Sequence, residues 1–397
     1  MTDAVFRGLK VIDCGSYIAA PAAATVMSDF GADVIKIEPP SGDPYRTRNQ
    51  PPKVQSSPVN PHWFVDARNK RSLAVDLTVR EGLDILYRLV ATADVFITNY
   101  PPNVRAKLGL TYQDVSRHNP RLIYASFTGF GEAGPEANKP GFDATAWWAR
   151  TGMMDLVRAG DAPPVRLPQG MGDHCSAMGV YSAIVTALYR RERTGLGAYV
   201  GSSLLMNGVW ANACSIQTTL CGEEVERPIE REKSAAPWRN IYKCLDGKWI
   251  LLSVVHNERQ WNVLRRALGT SKLDDPRFQT VEDRKANAFA LTEVLDRIFS
   301  LKRAPAWRDL LDGHGVVFAE VASLSEVCAD SQVALAGALV PTEAGPMTVS
   351  SPFWIHGEEK VAPRPAPRLG EHTDAVLTAA GLDHDAIDSM RLRGIVR

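Results

Sequence analysis

Residues 10–38 read KVIDCGSYIAAPAAATVMSDFGADVIKIE, and this stretch decides the fold class. Two short apolar runs, of the kind that forms buried strands, lie at Lys10–Asp13 and Val34–Ile37. The segment between them, Pro21–Phe30, has proline near its start and Gly31 just past its end, which is the pattern of a helix. A strand, a helix and a second strand in this order predict a parallel sheet.

The same alternation continues along the chain. Further buried strands are expected at Ser72–Val75, Val95–Thr98 and Leu122–Ser126. Thr78-Val-Arg-Glu81 has the form of a capping box, and the three leucines that follow it at helical spacing predict a helix. The repetition predicts an α/β domain with helices on the faces of a parallel sheet.

Downstream, helical patterns cover 174–190 and 203–220, and the charged stretch 222–233 is interpreted as an exposed linker. A second, smaller domain is expected at roughly 230–325. Its predicted elements are a strand at 249–255 and helices at 258–268, 283–301 and 305–311. The tail is too rich in proline for regular structure at 363–369, and a short helix is expected at 372–381.

Composition excludes several classes of partner. The 397 residues carry 45 basic and 45 acidic side chains, so no overall field draws the chain to nucleic acid or to a membrane surface. No apolar run approaches the roughly 20 residues of a membrane span, and the first residues lack a signal pattern. Six scattered cysteines without a CxxC pair indicate reduced thiols, no metal site is expected, and the expected location is the cytoplasm.

The opening strand–helix–strand unit invites comparison with nicotinamide-binding domains. Glu38 ends the second strand, where such domains place a ribose-binding acid. The preceding turn, Gly15–Pro21, nevertheless contains one glycine where the dinucleotide fingerprint requires three. We therefore expect no nicotinamide, and the absence of a GxxxxGK[ST] loop argues against an ATP-dependent ligase of that type.

Several further motifs occur in order along nearly the whole chain. They are Gly31–Pro40, Arg68–Ser72, Asn99–Pro102, Arg121–Gly131, Gly172-Asp173, Arg191–Gly195 and Pro365–His372. With these motifs the chain resembles the class III CoA-transferase family of the CaiB/BaiF type, which includes formyl-CoA transferase and the carnitine and bile-acid CoA-transferases. One such motif alone is weak, but the ordered set is specific.

The resemblance implies an architecture. Family members form interlocked homodimers in which each subunit has a Rossmann-like large domain, built from both chain ends, and a small middle domain. By this resemblance 1–221 is the N-terminal part of the large domain, 222–330 is the linker and the small α+β domain, and 331–397 is the return linker with the C-terminal part of the large domain.

The resemblance also makes Asp173 the catalytic nucleophile. A carboxyl with a reference pKa of about 3.9 is ionised at neutral pH and needs no general base. Gly170 and Gly172 would let the backbone approach a thioester closely, and a helix that begins after Asp173 would favour its anion. The plain alternative is that Asp173 is a helix N-cap. His174 and Cys175 are interpreted as packing residues.

The expected small-molecule partners are an acyl-CoA and a carboxylic acid, and CoA phosphates require basic groups and backbone N–H donors. The alternative for each basic residue is an ordinary surface charge. The residues that the resemblance assigns to CoA are Tyr17, Ile18, Lys36, Asn69, Arg71, Asn99, Tyr100, Arg105 and Lys139.

The predicted acyl pocket contains Phe142, Trp238 and Arg239. Phe142 falls where the racemase branch of the family carries a histidine base, and phenylalanine cannot move a proton. The stretch 233–242 lacks the glycine-rich loop of formyl-CoA transferase and looks closer to the mesaconyl- and succinyl-type transferases. We therefore expect CoA transfer between acids, with a dicarboxylic acid as one candidate. The alternatives are a 2-methylacyl-CoA racemase and a non-catalytic CoA-binding relative.

Overall fold

The computed structural model describes residues 4–48, 60–225, 230–254, 258–343 and 345–397, except the side chain of Arg48. The chain divides into two compact units. The first unit comprises Met1–Met154, Arg166–Glu223 and Ser331–Arg397, and the second comprises Asp155–Val165 and Glu224–Asp330.

A parallel sheet forms the centre of the first unit. Among the described residues its strands are β1 (Lys10–Cys14), β2 (Asp33–Glu38), β3 (Arg71–Ala74), β4 (Val95–Thr98), β5 (Ile123–Thr128) and β6 (Ala198–Ser203). They lie in the order β3-β2-β1-β4-β5-β6, and every neighbouring pair is parallel. This order is that of a doubly wound nucleotide-binding fold. The α/β prediction is confirmed.

Alternate strand residues enter two separate cores, because successive side chains of a strand point to opposite faces. Val11 and Val95 lie in the core on one face, together with alanines of the first helix. Ile12 and Phe96 lie in the core on the other face. The sheet is therefore apolar on both sides, which is why its strands read as continuous apolar runs rather than as alternating ones.

Helices of several lengths occur among the described residues up to residue 220. In chain order they are α1 (Ala19–Asp29), α2 (Tyr45–Arg48), α3 (Pro61–Ala67), α4 (Arg80–Val90), α5 (Pro102–Leu108), α6 (Tyr112–Ser116), α7 (Met153–Leu156), α8 (Met171–Thr194), α9 (Leu204–Ala211) and α10 (Ala213–Leu220), with a π-helical segment at Asp143–Ala149. The longest of them, α8, carries Asp173 in its first turn.

The second unit combines a small sheet with helices. Its strands β7 (Ile241–Lys243), β8 (Trp249–Leu252) and β9 (Phe318–Glu320) pair antiparallel. Its helices are α11 (Glu258–Leu268), α12 (Val281–Ala286), α13 (Ala288–Phe299), α14 (Ala304–His314) and α15 (Leu324–Ala329), and short 3-10 turns lie at Arg231–Lys233, Pro237–Arg239, Ser271–Leu273 and Pro276–Phe278.

The C-terminal segment returns to the first unit. It contains α16 (Ser331–Leu335), β10 (Leu339–Val340), β11 (Thr348–Val349), α17 (Thr373–Ala379) and α18 (His384–Leu392). The backbone N–H of His372 donates to the carbonyl of Ser72 at 3.0 Å, and Val396 forms a bridge with Val75. These contacts attach the last residues to the edge of the sheet beside β3. As expected, 363–369 has no regular structure apart from the start of a turn.

Several predicted boundaries were wrong. The Thr78 hydroxyl donates to Asp76 at 2.6 Å, α4 begins at Arg80 after an N-cap at Val79 without a side-chain bond, and so the predicted capping box does not form. The helix expected at 203–220 is interrupted at Asn212, and the one expected at 283–301 is interrupted at Asn287. Strand β6 was not predicted.

The predicted linker also differs from expectation at its end. Part of the expected linker, 226–229, and the last residue of the strand expected at 249–255 lie outside the described part of the chain. Arg231 belongs to a 3-10 turn and pairs with Asp296 at 2.7 Å, so this end of the charged stretch packs within the second unit. None of the helices among the described residues has both the length and the apolar composition that crossing a bilayer requires.

Candidate active site

Helix α8 begins immediately before the predicted nucleophile. Gly170 is its N-cap and has φ of 78°, a left-handed conformation that glycine adopts without strain. Asp173 is therefore the third residue of the helix and lies in its first turn. This corrects both the expected helix start and the alternative role, because Asp173 is not the N-cap.

Gly172 allows a close approach between two segments of the chain. A Cβ atom added there would lie 2.9 Å from Cβ of Asp143 and 2.9 Å from the ring of Trp147. Both residues belong to the π-helical segment, which packs directly against the start of α8. Only glycine fits at this position, and its absence of a side chain brings the Asp143 carboxyl next to Asp173.

The electrostatic surroundings of Asp173 are unfavourable for a carboxylate. Burial and the neighbouring Asp143 raise its pKa to about 7, and Asp66 adds to the rise, although His174 opposes it. Among the described residues Asp173 accepts no hydrogen bond, and one oxygen of the buried Asp143 is also without a partner. The expectation of full ionisation at neutral pH is not met, because burial and the two neighbouring carboxyls raise the pKa of Asp173 more than His174 lowers it.

His174 is not a plain packing residue. Its Nε2 lies 2.9 Å from Oδ1 of Asp66, and its Nδ1 lies 2.9 Å from the carbonyl oxygen of Gly170. Burial alone would lower the pKa of His174, but the bond to Asp66 more than reverses this and raises it to about 9. His174 therefore carries a positive charge beside Asp173 at neutral pH. Cys175 is exposed and free.

Asp66 is held in place by several contacts besides the one with His174. It is buried at the end of α3, a helix that Asn60 caps by accepting from the backbone of His62 and Trp63. The hydroxyl of Tyr45 donates to its second carboxylate oxygen at 3.1 Å. The Lys70 ammonium donates to the backbone carbonyl of Asp66 at 2.8 Å. The carboxylate that binds the imidazole is thus held rigidly.

The turn after β1 carries two of the predicted CoA contacts, Tyr17 and Ile18. The Asn99 side chain accepts from the N–H of Ser16 at 2.8 Å and donates to its carbonyl at 2.7 Å. Lys36 donates to the carbonyl of Gly15. These contacts hold Tyr17 at φ of 62°, which is left-handed and uncommon for a side chain of this size. Asn99 and Lys36 therefore shape this turn.

Lys36 belongs to a group of charges beneath the turn. Its ammonium is 3.0 Å from Asp43, and its side chain is only 1% exposed. Lys70 and Asp13 pair at 2.8 Å and are both fully buried. Lys36 is therefore a buried and paired residue rather than an ordinary surface charge, and its contact with CoA stays a prediction.

The turn also borders the start of α8. The Cδ1 atom of Ile18 lies 3.3 Å from the position that a Cβ on Gly170 would take. The ring of Tyr17 packs edge-on against Phe142 at 5.7 Å and lies 6.3 Å from Tyr45. The turn, α2, the π-helical segment and α8 thus converge at Asp173, all within the first unit.

The sequence of this chain matches that of a known family over most of its length. The sequence profile of CoA-transferase family III matches residues 6–373. The chain belongs to CoA-transferase family III. Both the predicted family and the predicted enzyme class are confirmed.

Similar proteins extend over the whole length of this transferase. The (R)-2-hydroxy-4-methylpentanoate CoA-transferase of Clostridioides difficile is 30% identical over 399 residues, which cover 99% of this chain and 100% of its own. The succinyl-CoA:glutarate CoA-transferase of Mus musculus is 32% identical over 403 residues, with 98% and 90% coverage. The crystal structure of a CaiB/BaiF family protein from Brucella suis has a TM-score of 0.85 at 29% identity and covers 96% of this chain and 100% of that one.

Two further predicted CoA contacts of this transferase lie at the edge of the sheet beside β3. Asn69 is buried with φ of 63°, and its side-chain oxygen accepts from the backbone N–H of Arg364 at 2.8 Å. Arg71 pairs with Asp33 at 2.5 Å. Both therefore have roles in the fold, and their contact with CoA stays a prediction.

The remaining predicted contacts differ in exposure. Arg105 is buried and pairs with Glu132 at 2.5 Å, while Tyr100 is half-buried, which raises the pKa of its hydroxyl to about 12. Lys139 is exposed and pairs with Glu136 at 2.6 Å. Of these side chains Lys139 is the most accessible to a phosphate.

The predicted acyl-pocket residues of this transferase lie in different units. Phe142 belongs to the first unit, and its side chain is 49% exposed, so it is not a core aromatic. Trp238 is buried in the core of the second unit, and the neighbouring Arg239 is exposed. Their part in substrate binding stays a prediction.

Sequence reasoning missed Asp66, Asp143 and Tyr45. Asp143 lies beside Phe142, so the motif that drew attention to Phe142 could have included it. Asp66 and His174 are 108 residues apart in the chain, and no local pattern connects them. Among the described residues no group of three metal-binding side chains comes together.

Proposed function

We propose that this transferase moves CoA from an acyl-CoA donor to a carboxylic acid through covalent intermediates on Asp173. The observation that carries this proposal is an Asp173 carboxyl in the first turn of α8 whose pKa burial and Asp143 raise to about 7. A carboxylate of raised pKa is a stronger nucleophile than an ordinary one, and half of it is ionised near neutral pH.

In the first half of the reaction, an oxygen of Asp173 attacks the thioester carbonyl carbon of the donor. The carbon–sulfur bond breaks and its electron pair leaves with the CoA thiolate, which gives a mixed anhydride. The thiolate then attacks the aspartyl carbonyl carbon. The anhydride carbon–oxygen bond breaks, the donor acid leaves as a carboxylate, and Asp173 becomes an aspartyl-CoA thioester.

In the second half, the acceptor carboxylate attacks the aspartyl thioester and releases the thiolate again. The thiolate attacks the acyl carbon of the new anhydride, which gives the new acyl-CoA and restores the Asp173 carboxylate. No proton is gained or lost over the cycle. Negative charge develops on a carbonyl oxygen at each step, so nearby N–H donors are expected to contribute strongly to the rate.

The racemase alternative is disfavoured by the groups around Asp173. A racemase needs a second group that accepts or supplies the α-proton. Phe142 cannot do so, and both ring nitrogens of His174 already face the acceptors Asp66 and Gly170. Exchange of the α-hydrogen of an acyl-CoA with deuterated water, in the absence of an acceptor acid, would instead favour the racemase.

Three finer proposals concern the substrate, the assembly and the location. We propose a dicarboxylic acid among the substrates because the mouse relative is named for succinyl-CoA and glutarate. We propose a homodimer because large apolar side chains, such as Trp210 at 81% exposure and Leu220 at 74%, lie on the surface of α9 and α10. We propose a cytoplasmic enzyme because its cysteines are unpaired.

The test is covalent trapping. The protein is incubated with succinyl-CoA, quenched with hydroxylamine or borohydride, digested and analysed by mass spectrometry. Modification is expected on the peptide that contains Asp173, and Asp173→Ala should lose it. The matched control Asp143→Asn keeps Asp173 and should still be labelled there. Labelling at another residue, or full transfer activity of Asp173→Ala, would falsify the proposal.

A further inference from the structure

The ring of His174 has an unusual pair of contacts. Both of its nitrogens lie 2.9 Å from oxygens that can only accept, the carboxylate of Asp66 and the carbonyl of Gly170. A neutral imidazole has one N–H and one bare nitrogen, so it would leave one of these contacts as two facing acceptors. With Asp66 as a carboxylate, the geometry is satisfied only when both nitrogens carry hydrogen, which means that the ring is an imidazolium.

We propose that the His174 imidazolium, fixed by Asp66, is a positioning residue that keeps the neighbouring Asp173 ionised for attack on the thioester. This inference rests on the proposed function of Asp173. His174 holds a positive charge next to the nucleophile and takes no part in bond making, because both of its hydrogens are already bound.

The balance of charge around Asp173 explains why such a residue is needed. Asp143 faces it from the π-helical segment and Asp66 from α3, and both oppose its ionisation. Tyr45 of α2 stays neutral, because burial and the neighbouring Asp66 raise the pKa of its hydroxyl. His174 is the cation that acts in the opposite direction among the described residues that shift Asp173.

Another positive group near His174 is already neutralised. Arg68 lines a cavity of about 360 Å³ together with Asp66 and His174, but it pairs with Asp29 at 2.7 Å. The charge of Arg68, which follows α3, is therefore neutralised by Asp29 at the end of α1. Loss of the His174 charge would leave Asp173 facing two carboxyls without a compensating cation.

The experiment compares the pH dependence of kcat/KM for wild type and His174→Gln, with succinyl-CoA and glutarate as substrates. The wild-type rate should rise with pH through the pKa of Asp173, at about 7. In His174→Gln this rise should move to higher pH by about one unit, with a loss of about tenfold at pH 6 and a recovery at high pH. A variant damaged only in structure would lose activity equally at all pH values.

Two further variants make the result specific. His174→Lys keeps a positive charge. The rise of its rate with pH, which we call the acid limb of the profile, should therefore stay close to that of wild type. Asp66→Asn removes the anchor that keeps the ring charged and also a carboxylate that opposes the ionisation of Asp173, so it should shift the rise in the same direction as His174→Gln but by less. His384→Gln removes an exposed histidine at the start of α18 and should leave the profile unchanged.

A direct readout separates this inference from the proposed function. In NMR spectra of protein labelled in its histidine side chains, the resonances that disappear in His174→Gln should show both nitrogens protonated at pH 7.5. A neutral ring there, or an unshifted acid limb in His174→Gln, overturns the inference even when Asp173 is covalently labelled. Failure of the labelling of Asp173 overturns the proposed function whatever the state of His174.

Discussion

Two groups of charges lie in the first unit, and they are built in opposite ways. Beneath the turn after β1, the carboxylates Asp13 and Asp43 are matched by the ammonium groups of Lys70 and Lys36 at 2.8 and 3.0 Å. At the start of α8, the carboxyls of Asp66, Asp143 and Asp173 are matched by His174 alone among the described cations that act on Asp173.

The pKa values follow this difference. Burial alone would raise the pKa of Asp13, but Lys36 and Lys70 more than reverse this and lower it. Burial also raises the pKa of Asp173, and Asp143 raises it further. Carboxylates that pair with cations stabilise the fold. A carboxyl without such a partner lowers stability, and unfavourable groups of this kind are concentrated at functional sites. We therefore interpret the first group as scaffold and the second as the site.

The largest expected effect is on catalysis at the unmatched group. Asp173→Asn should lower transfer activity by about 10⁴-fold, which corresponds to about 5 kcal/mol of transition-state stabilisation. The same variant should be more stable than wild type by about 1–3 kcal/mol at pH 8, a range reduced for partial exposure. Quenched transfer assays and urea unfolding measure the two effects.

The sign of that stability change follows from the raised pKa. Asp173 titrates near 3.8 when unfolded and at about 7 when folded, so folding is favoured while it is protonated and the benefit is lost as the pH rises between these values. The advantage of Asp173→Asn should therefore grow from pH 4 to about pH 7 and then level off. Equal stability of the two proteins at all pH values would contradict an unfavourable site.

The next largest effect is expected in the matched group. Lys70→Met leaves the fully buried Asp13 without its partner and should lower the free energy of unfolding by about 3–4 kcal/mol, measured by urea unfolding. Lys107→Met, at an exposed lysine of α5, is the control and should change it by less than about 0.5 kcal/mol. A small loss in Lys70→Met would mean that this group is not scaffold.

A smaller effect is expected where the backbone brings Asp143 to Asp173. Gly172→Ala would place a methyl group 2.9 Å from Asp143 and Trp147, so overpacking should cost about 1–3 kcal/mol of stability. The control is Gly313→Ala inside α14, where a methyl group meets no atom within 4 Å. It should stabilise the chain by about 0.5–1 kcal/mol. Thermal unfolding of the two variants should therefore shift in opposite directions.

The predictable part of this molecule is local. Strands β1, β2 and β4 were expected within a residue or two of their ends, because each is a continuous apolar run between turn residues. Strand β6 was missed since its sequence, AYVGSS, is short of apolar residues and contains glycine and two serines. It joins the sheet through backbone pairing with β5, which leaves no hydrophobic pattern.

The sequence drew attention to Asp173, whose role as nucleophile stays a prediction, but it did not indicate the residues that surround it. The family motif gave Asp173 from two adjacent letters, Gly172-Asp173. The charges that set its pKa come from segments 30 and 107 residues away in the chain, at Asp143 and Asp66. For the same reason the ion pair of Lys36 with Asp43, which lies after the following turn, was not predicted. The contact of Lys36 with CoA stays a prediction.

The smallest expected effect is the contribution of the His174 charge to stability, which can be measured apart from that of Asp173 through its pH dependence. The His174 pKa is about 9 in the folded chain and 6.5 in an unstructured peptide, so its bond to Asp66 stabilises fully below pH 6.5 and the contribution is lost as the pH rises through 9. Because the side chain is 47% exposed, we expect only about 1 kcal/mol. The measurement compares His174→Gln with its parent, both carrying Asp173→Asn, so that the titration of Asp173 is absent. The two proteins should differ at pH 6 and converge near pH 10, whereas a difference that stays constant with pH would mean that the ring contributes packing and no charge.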